Sequence, residues 1–253
     1  MTVHPRQQQL LDHVRRHANA SVEELARALE VTPQTVRRDL KVLVDAKLLT
    51  RYHGGVAVPS SVQNIEYLRR QAMNEPAKRR IANAVAARLP NDCSLFINIG
   101  TTTESVARAL AHHKGLRVVT NNLNVAATVS NNPSIEVILA GGVVRSLDRG
   151  IVGDATVDFI NQFKVDIGII GISSIDADGT LRDFDAREVK VSQAIIAQSR
   201  AVWLVADHTK FARESFVRLA DMRQVDVLFT DQAPPRRMSA LLKQVKTELV
   251  IAP

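Results

Sequence analysis

Ser21-Val-Glu-Glu-Leu-Ala-Arg-Ala-Leu29 and, two residues later, Thr32-Pro-Gln-Thr-Val-Arg-Arg-Asp-Leu-Lys-Val-Leu-Val-Asp-Ala46 form the stretch on which the N-terminal fold turns. Ser21 followed three residues on by Glu24 makes a capping box, so a helix begins at Val22. Its apolar face is Val22, Leu25, Ala26 and Leu29. Glu30-Val31 breaks that period. Thr32 then offers an N-cap oxygen and Pro33 suits the first helical position, so the next helix runs from Pro33 to Ala46. Val36, Leu40, Leu43 and Val44 line one side of it, while Gln34, Thr35, Arg37, Arg38 and Lys41 lie mostly on the other. Two short helices around a tight turn, the second opening with polar and basic residues, form a helix-turn-helix pattern.

The flanks extend this reading. Upstream, Pro5 to Ala18 places Leu10, Leu11, Val14 and Ala18 at helical spacing. Downstream, Leu48 to Val58 reads as two short strands around Gly54-Gly55, a wing with Arg51, Tyr52 and His53 at its tip. The chain of 253 residues carries 33 Lys and Arg against 26 Asp and Glu, a net charge of +7. Residues 1–70 hold 11 of those cations and 7 of those acids, more than half the excess. A basic surplus on a small segment points to an anionic partner, and no helix there pairs a basic face with the broad apolar face a membrane surface needs. DNA is therefore the expected partner of Thr32, Gln34, Thr35, Arg37, Arg38, Lys41, Arg51, Tyr52 and His53. Arginine forks onto guanine or phosphate, and glutamine pairs with adenine. Asp39 repels phosphate and is expected to hold an arginine in place.

Composition excludes several classes. No run of eighteen uncharged apolar residues exists, and the N-terminus has no apolar signal core, so a cytoplasmic protein without a membrane span is expected. One cysteine, Cys93, rules out an intramolecular disulfide framework, and the seven histidines show no metal-binding spacing. No metal or cofactor is expected.

Pro59-Ser-Ser-Val-Gln-Asn64 has turn composition, which sets expected boundaries at 1–58 for the winged helix-turn-helix, 59–74 for a linker and 75–253 for a larger domain. Within the linker, Glu66 to Ala72 reads as a short helix or an extended arm. Glu75 to Leu89 reads as a helix with a solvated basic edge of Lys78, Arg79 and Arg80. From Ser94 onward, apolar runs of strand length at 95–99, 116–120, 135–139, 167–172, 201–205 and 225–229 alternate with helical segments near 102–113, 122–130, 154–163, 186–199 and 236–245. Such runs fit strands buried on both faces of a mostly parallel sheet, so a three-layer α/β domain is expected, with ligands at the carboxyl ends of its strands. Four of those ends are polar: Gly100-Thr101-Thr102-Thr103, Thr120-Asn121-Asn122, Gly141-Gly142 and Asp207-His-Thr-Lys210. The first leads directly into a helix, whose free N–H groups and three hydroxyls suit a phosphate. Each also has a plain structural use: the Gly100 loop as a Thr N-cap behind a Gly turn, Asn122 as an N-cap, Gly141-Gly142 as a turn, Lys210 as a surface lysine. Together they point to a small anionic ligand.

Thr32 to Leu40 with Arg51-Tyr-His-Gly-Gly55 closely resembles the N-terminal domain of the DeoR family of bacterial transcription regulators. The GTT loop at 100–102, the TNN turn at 120–122, the GG turn at 141–142 and the DHTKF segment at 207–211 resemble that family's sensor domain, related in fold to sugar-phosphate isomerases. The family often has Asp where this chain has Asn98, and tends to keep an acid at the position of Glu188, which joins the candidate ligand residues. The resemblance implies a repressor that leaves operator DNA on binding a small phosphorylated effector, glycerol 3-phosphate, and that acts as a dimer or tetramer. The alternatives are another sugar-phosphate regulon or an isomerase-like enzyme. The enzyme reading lacks support, because a DNA-binding segment shares the chain and Asn98 puts an amide where an acid would serve.

Overall fold

The computed structural model describes residues 4–17, 19–46, 48–52, 55–57 and 67–253. The chain divides into two compact units, Met1–Ser60 and Ser61–Pro253.

The first unit contains α1 (Pro5–His17), β1 (Asn19–Ser21), α2 (Val22–Ala28), α3 (Pro33–Asp45), β2 (Thr50–Tyr52) and β3 (Gly55–Ala57). Both expected caps form. Ser21 Oγ accepts from Glu24 N while Glu24 returns a bond to Ser21 N. Thr32 Oγ1 accepts from Thr35 N, with Pro33 at the start of α3. Leu10, Val14, Leu25, Val36, Leu40, Leu43, Leu49 and Val56 close into one core. Truncating one of these leucines to alanine costs about 2–5 kcal/mol, a large share of what so small a unit has. The wing is a three-stranded sheet of order β1-β3-β2, not the expected two-stranded hairpin. β1 has no alternating pattern to announce it. It forms because Asn19–Ser21 pairs antiparallel with Gly55–Ala57.

The second unit opens with α4 (Tyr67–Ala72) and α5 (Glu75–Arg88). β4 (Ser94–Ile97), α6 (Thr101–Ala109), β5 (Leu116–Thr120), α7 (Leu123–Val129) and β6 (Ile135–Leu139) follow. A hairpin of β7 (Val143–Val144) and β8 (Ile151–Val152) leads to α8 (Asp154–Ile160) and β9 (Val165–Gly171). Next come β10 (Ser174–Ile175), β11 (Thr180–Asp183), α9 (Ala186–Ala197) and β12 (Ser199–Val205). A 3-10 turn over His208–Ala212 then leads to β13 (Val217–Asp221), β14 (Val227–Thr230), α10 (Arg236–Val245) and β15 (Glu248–Ile251).

Seven strands build one sheet in the order β15-β14-β12-β9-β4-β5-β6. Every neighbouring pair runs parallel. Alternate side chains feed opposite layers. Leu95 and Ile97 of β4 pack with Ile81, Val85 and Val106 of α5 and α6. Phe96 between them packs with Ile195, Ile160 and Leu242 of α9, α8 and α10. The three-layer α/β expectation therefore holds. A small antiparallel sheet, β10-β11-β13, adds to it without a strong apolar signal of its own. α4 falls inside the stretch read as linker and packs against α6.

Candidate functional site

The first unit presents an exposed basic face on α3. Gln34, Arg37, Arg38 and Lys41 are exposed, and Thr35 is half-buried with its hydroxyl 2.9 Å from that of Thr32. The N-cap therefore employs Thr32 and steadies Thr35. Arg51 of β2 is exposed, and its guanidinium donates to the Arg37 carbonyl at 3.5 Å, which sets the wing strand beside α3. Arg37 also lies 3.9 Å from Glu23, an exposed pair of little energetic weight. The Tyr52 backbone belongs to β2, and His53 lies outside the described residues. Asp39 holds an arginine as expected, but that arginine is Arg6 of α1, whose Nε donates to it at 2.6 Å. Burial pushes the Asp39 carboxyl up, yet the bonds from Arg6 and Gln7 outweigh this and leave it below the usual carboxylate range. Asp39 thus ties α1 to α3 and leaves the basic face to Arg37, Arg38 and Lys41.

In the second unit the ends of β4 and β12 meet a set of charges. Gly100 caps α6 with φ +155°, a conformation that favours glycine. The first N–H groups of α6 have no intrahelical acceptor. The three threonines behind Gly100 are buried but do different things. Thr103 Oγ1 points back to the Asn98 and Gly100 carbonyls at 2.9 and 2.7 Å. Thr101 Oγ1 donates to the Arg70 carbonyl at 3.4 Å. Thr102 has no side-chain hydrogen bond among the described residues. Asn98 is a structural amide: its Oδ1 accepts from Gly171 N at 2.9 Å and its Nδ2 donates to Ser192 at 3.2 Å.

Lys78 corrects the expectation of a solvated edge. It is 4% exposed, and its ammonium donates to the Arg70 carbonyl. Burial and the nearby charge of Lys210 hold it at about 8. Lys210 is likewise brought to about 8, chiefly by burial. Its Nζ has neither a hydrogen bond nor an ion pair among the described residues. Arg70 and Arg213 act on the same group of charges, and burial with the repulsion of Arg70 lowers the Arg213 guanidinium. Four cations from α4, α5 and the segment after β12 are thus gathered against two buried acids, Asp183 and Asp207. Asp183 is raised by burial, while accepting from Ser173 and from Phe184 N. Arg79 and Arg80 do lie on the outer side, paired with Glu75 and Asp231.

A cleft of about 370 Å³ adjoins this group, lined by Tyr67, Arg70, Arg145, Asp148, Phe184 and Glu188 among others. Arg145 pairs with Asp148, with Asp185 at 3.1 Å and with Glu188 at 2.8 Å. The basic neighbours of Glu188 on α9 are engaged elsewhere, Arg187 with Asp185 and Lys190 with Asp154. Burial and the neighbouring Asp183 push Glu188 up to about 8 in spite of Arg145. Two sets of groups thus meet at Arg70: Lys78 and Thr101 of the α6 start, which share its carbonyl, and the carboxylates with Arg145 that line the cleft beside it. A phosphate suits the first set, and hydroxyl donors suit the second.

The remaining sequence candidates serve the scaffold. Asn122 caps α7 through Asn124 N and Val125 N, and donates to Glu104 at 3.2 Å. Asn121 donates to the Ile151 carbonyl, while its buried Oδ1 has no hydrogen-bond partner among the described residues. Gly141 and Gly142 turn against α8: the Gly141 carbonyl accepts from Thr156, and a Cβ on Gly142 would meet Thr156 Oγ1 at 2.1 Å. Of the sequence candidates, Thr101 meets Lys78 at the Arg70 carbonyl, Lys210 acts on Lys78 by charge, and Glu188 lines the adjoining cleft. Lys78, Arg70, Arg213, Arg145 and Asp183 join them without having been singled out in the sequence as ligand residues. No local signal marks Arg70, Arg213 or Arg145. For Lys78 the signal lay in its helical phase, on the same side as Ile81 and Val85.

The chain matches the DeoR-like helix-turn-helix domain over residues 6–62 and the DeoR C terminal sensor domain over residues 73–232. It is 49% identical over 246 residues to a glycerol-3-phosphate regulon repressor of Haemophilus influenzae, covering 97% of this chain and 96% of the relative. A glycerol-3-phosphate regulon repressor of Escherichia coli is also 49% identical, covering 89% of this chain and 90% of that one. Among solved structures, a ribose 5-phosphate isomerase A from Methanocaldococcus jannaschii aligns with 55% of this chain and 55% of its own, at 11% identity and a TM-score of 0.41.

Proposed function

The chain belongs to the DeoR family of DNA-binding transcription regulators, and from that premise we propose that it represses a glycerol 3-phosphate regulon and is released from its operator by glycerol 3-phosphate. It is a regulator and not an enzyme, as its relatives are. The observation that carries the effector reading is Lys210, whose ammonium has no hydrogen bond or ion pair among the described residues and bears on buried Lys78, which shares the Arg70 carbonyl with Thr101 of α6. The phosphate takes the N–H groups of Thr101–Thr103, the Thr101 and Thr102 hydroxyls, Lys210 and Lys78. The two hydroxyls of the glycerol portion reach toward Glu188 and Arg145. The DNA contacts are Gln34, Thr35, Arg37, Arg38 and Lys41 of α3, with Arg51, Tyr52 and His53 from the wing. Arginine on a base edge specifies sequence, and lysine on phosphate sets affinity. Operators with repeated half-sites require at least a dimer, in the cytoplasm where the DNA is.

Release follows only if the effector binds the operator-incompetent arrangement more tightly than the competent one. Calorimetric titration of the purified protein with glycerol 3-phosphate, against ribose 5-phosphate and fructose 6-phosphate, tests the reading. Saturable binding of glycerol 3-phosphate alone, together with its release of a labelled operator in a gel shift, is the expected result. Binding of another sugar phosphate instead reassigns the regulon. A glycerol 3-phosphate titration that never weakens operator binding removes the effector assignment.

A further inference from the structure

α4 is the first described helix after the DNA-binding unit, and hydrogen bonds from both of its ends reach α5, α6 and α7. Its Arg70 carbonyl lies in the last turn, where carbonyls lack intrahelical partners. That carbonyl accepts from Lys78 and from Thr101 Oγ1 at 3.4 Å. At the other end of α4, Tyr67 Oη donates to Glu104 at 2.8 Å and accepts from Asn124 at 2.9 Å. Glu104 is 2% exposed on α6 and also accepts from Asn122 and Asn124. The Arg70 side chain adds a 3.5 Å pair with Asp148.

We propose that α4 is a strap across the phosphate cradle, that Tyr67 positions it, and that the effector and the Arg70 carbonyl compete for Lys78 and Thr101. The argument rests on the effector reading above. Thr101 has one O–H, and giving it to a phosphate weakens or breaks its 3.4 Å bond to the carbonyl, whereas the three N–H groups of Lys78 can be divided. A phosphate that takes the Thr101 hydroxyl leaves the last turn of α4 short of a donor. The Tyr67–Glu104 bond opposes its release, because losing it strands a buried carboxylate oxygen. The strapped arrangement is then the one the effector disfavours, which makes it the operator-binding one. Movement at the phosphate reaches the DNA-binding unit along the chain itself, since α4 follows that unit in sequence.

Hydrogen–deuterium exchange on the full-length protein tests this without any variant. Saturating glycerol 3-phosphate is expected to speed exchange of the amides in 67–74 while slowing those of 100–104. Unchanged or slower exchange in 67–74 overturns the strap and leaves effector binding standing. Tyr67→Phe supplies the second arm, because it removes the hydroxyl but touches no phosphate donor. It is expected to tighten glycerol 3-phosphate by about fivefold and to weaken operator binding in the opposite sense, the worth of one net hydrogen bond. A purely structural Tyr67 would lower the melting temperature and leave both affinities unmoved or move them together, which refutes the positioning role. If neither glycerol 3-phosphate nor inorganic phosphate gives a binding heat, the functional reading fails and the strap fails with it.

Discussion

The ammonium of Lys210 bears on that of Lys78, and burial together with this second charge keeps Lys78 at about 8. Two lysines held near neutrality in one cradle make ligand affinity depend on pH. A phosphate favours their charged forms, so binding raises both pKa values and takes up protons. Affinity for glycerol 3-phosphate should fall as pH rises through about 8, where the unliganded lysines lose their protons. It should also fall as pH drops below about 6, where the phosphate dianion gains a proton. Calorimetry in buffers of different ionisation enthalpy, at each pH, would read both the affinity and the proton uptake.

Thr102 and Thr103 separate a ligand role from a structural one. Thr103 holds the Asn98 and Gly100 carbonyls that shape the loop. Thr103→Val should cost about 1–3 kcal/mol of stability, because it leaves buried carbonyls short of a donor. Thr102→Ala should change stability by less than about 1 kcal/mol and weaken glycerol 3-phosphate about tenfold. Thermal unfolding and calorimetry on the same two variants would give both comparisons.

Arg37 and Arg38 are adjacent and exposed, yet the two roles open to them leave different signatures. The one on a base edge, changed to alanine, should cost about 1–3 kcal/mol and relax specificity at one operator position. The one on phosphate should weaken all sequences alike and reduce the salt slope by about 1. Fluorescence anisotropy against an operator and its single-base variants, at several salt concentrations, assigns them.

Asp39 should matter to the DNA-binding unit through Arg6 and not through DNA. Its carboxyl lies below the ordinary value in the folded chain, so its contribution is present above about pH 4 and is lost as pH falls through the folded value. Asp39→Asn should lower the stability of the first unit by about 1–2 kcal/mol at neutral pH. The difference from wild type should shrink on acidification, measured by unfolding followed by circular dichroism.

The parts legible in the sequence were those whose causes are local. The capping box at Ser21 and the Thr32-Pro33 start need nothing beyond the next turn of chain, so α2 and α3 follow from composition and spacing. The same holds for Gly100–Thr103, a helix start directly after a buried strand. β1 was not legible because Asn19–Ser21 is a strand only by virtue of its partner. Lys78 reads as part of a solvated run with Arg79 and Arg80 unless its helical phase with Ile81 and Val85 is weighed, and the partner it finds, the Arg70 carbonyl of α4, has no local signal. Arg70, Arg145 and Arg213 come from separate stretches of chain, and no spacing rule could have assembled them.

The order of strands also says when each half of this protein comes into being. The core of the first unit is closed by residues that all precede Ser60. The sheet of the second unit has no centre until β9 has been synthesised, because Leu95 of β4 pairs with Ile167, and its outer strand β15 follows about eighty residues later still. Translation delivers the chain from its N-terminus, and units fold as they emerge. The half that reads DNA is therefore finished on the ribosome while the parallel sheet of the other half is still being made.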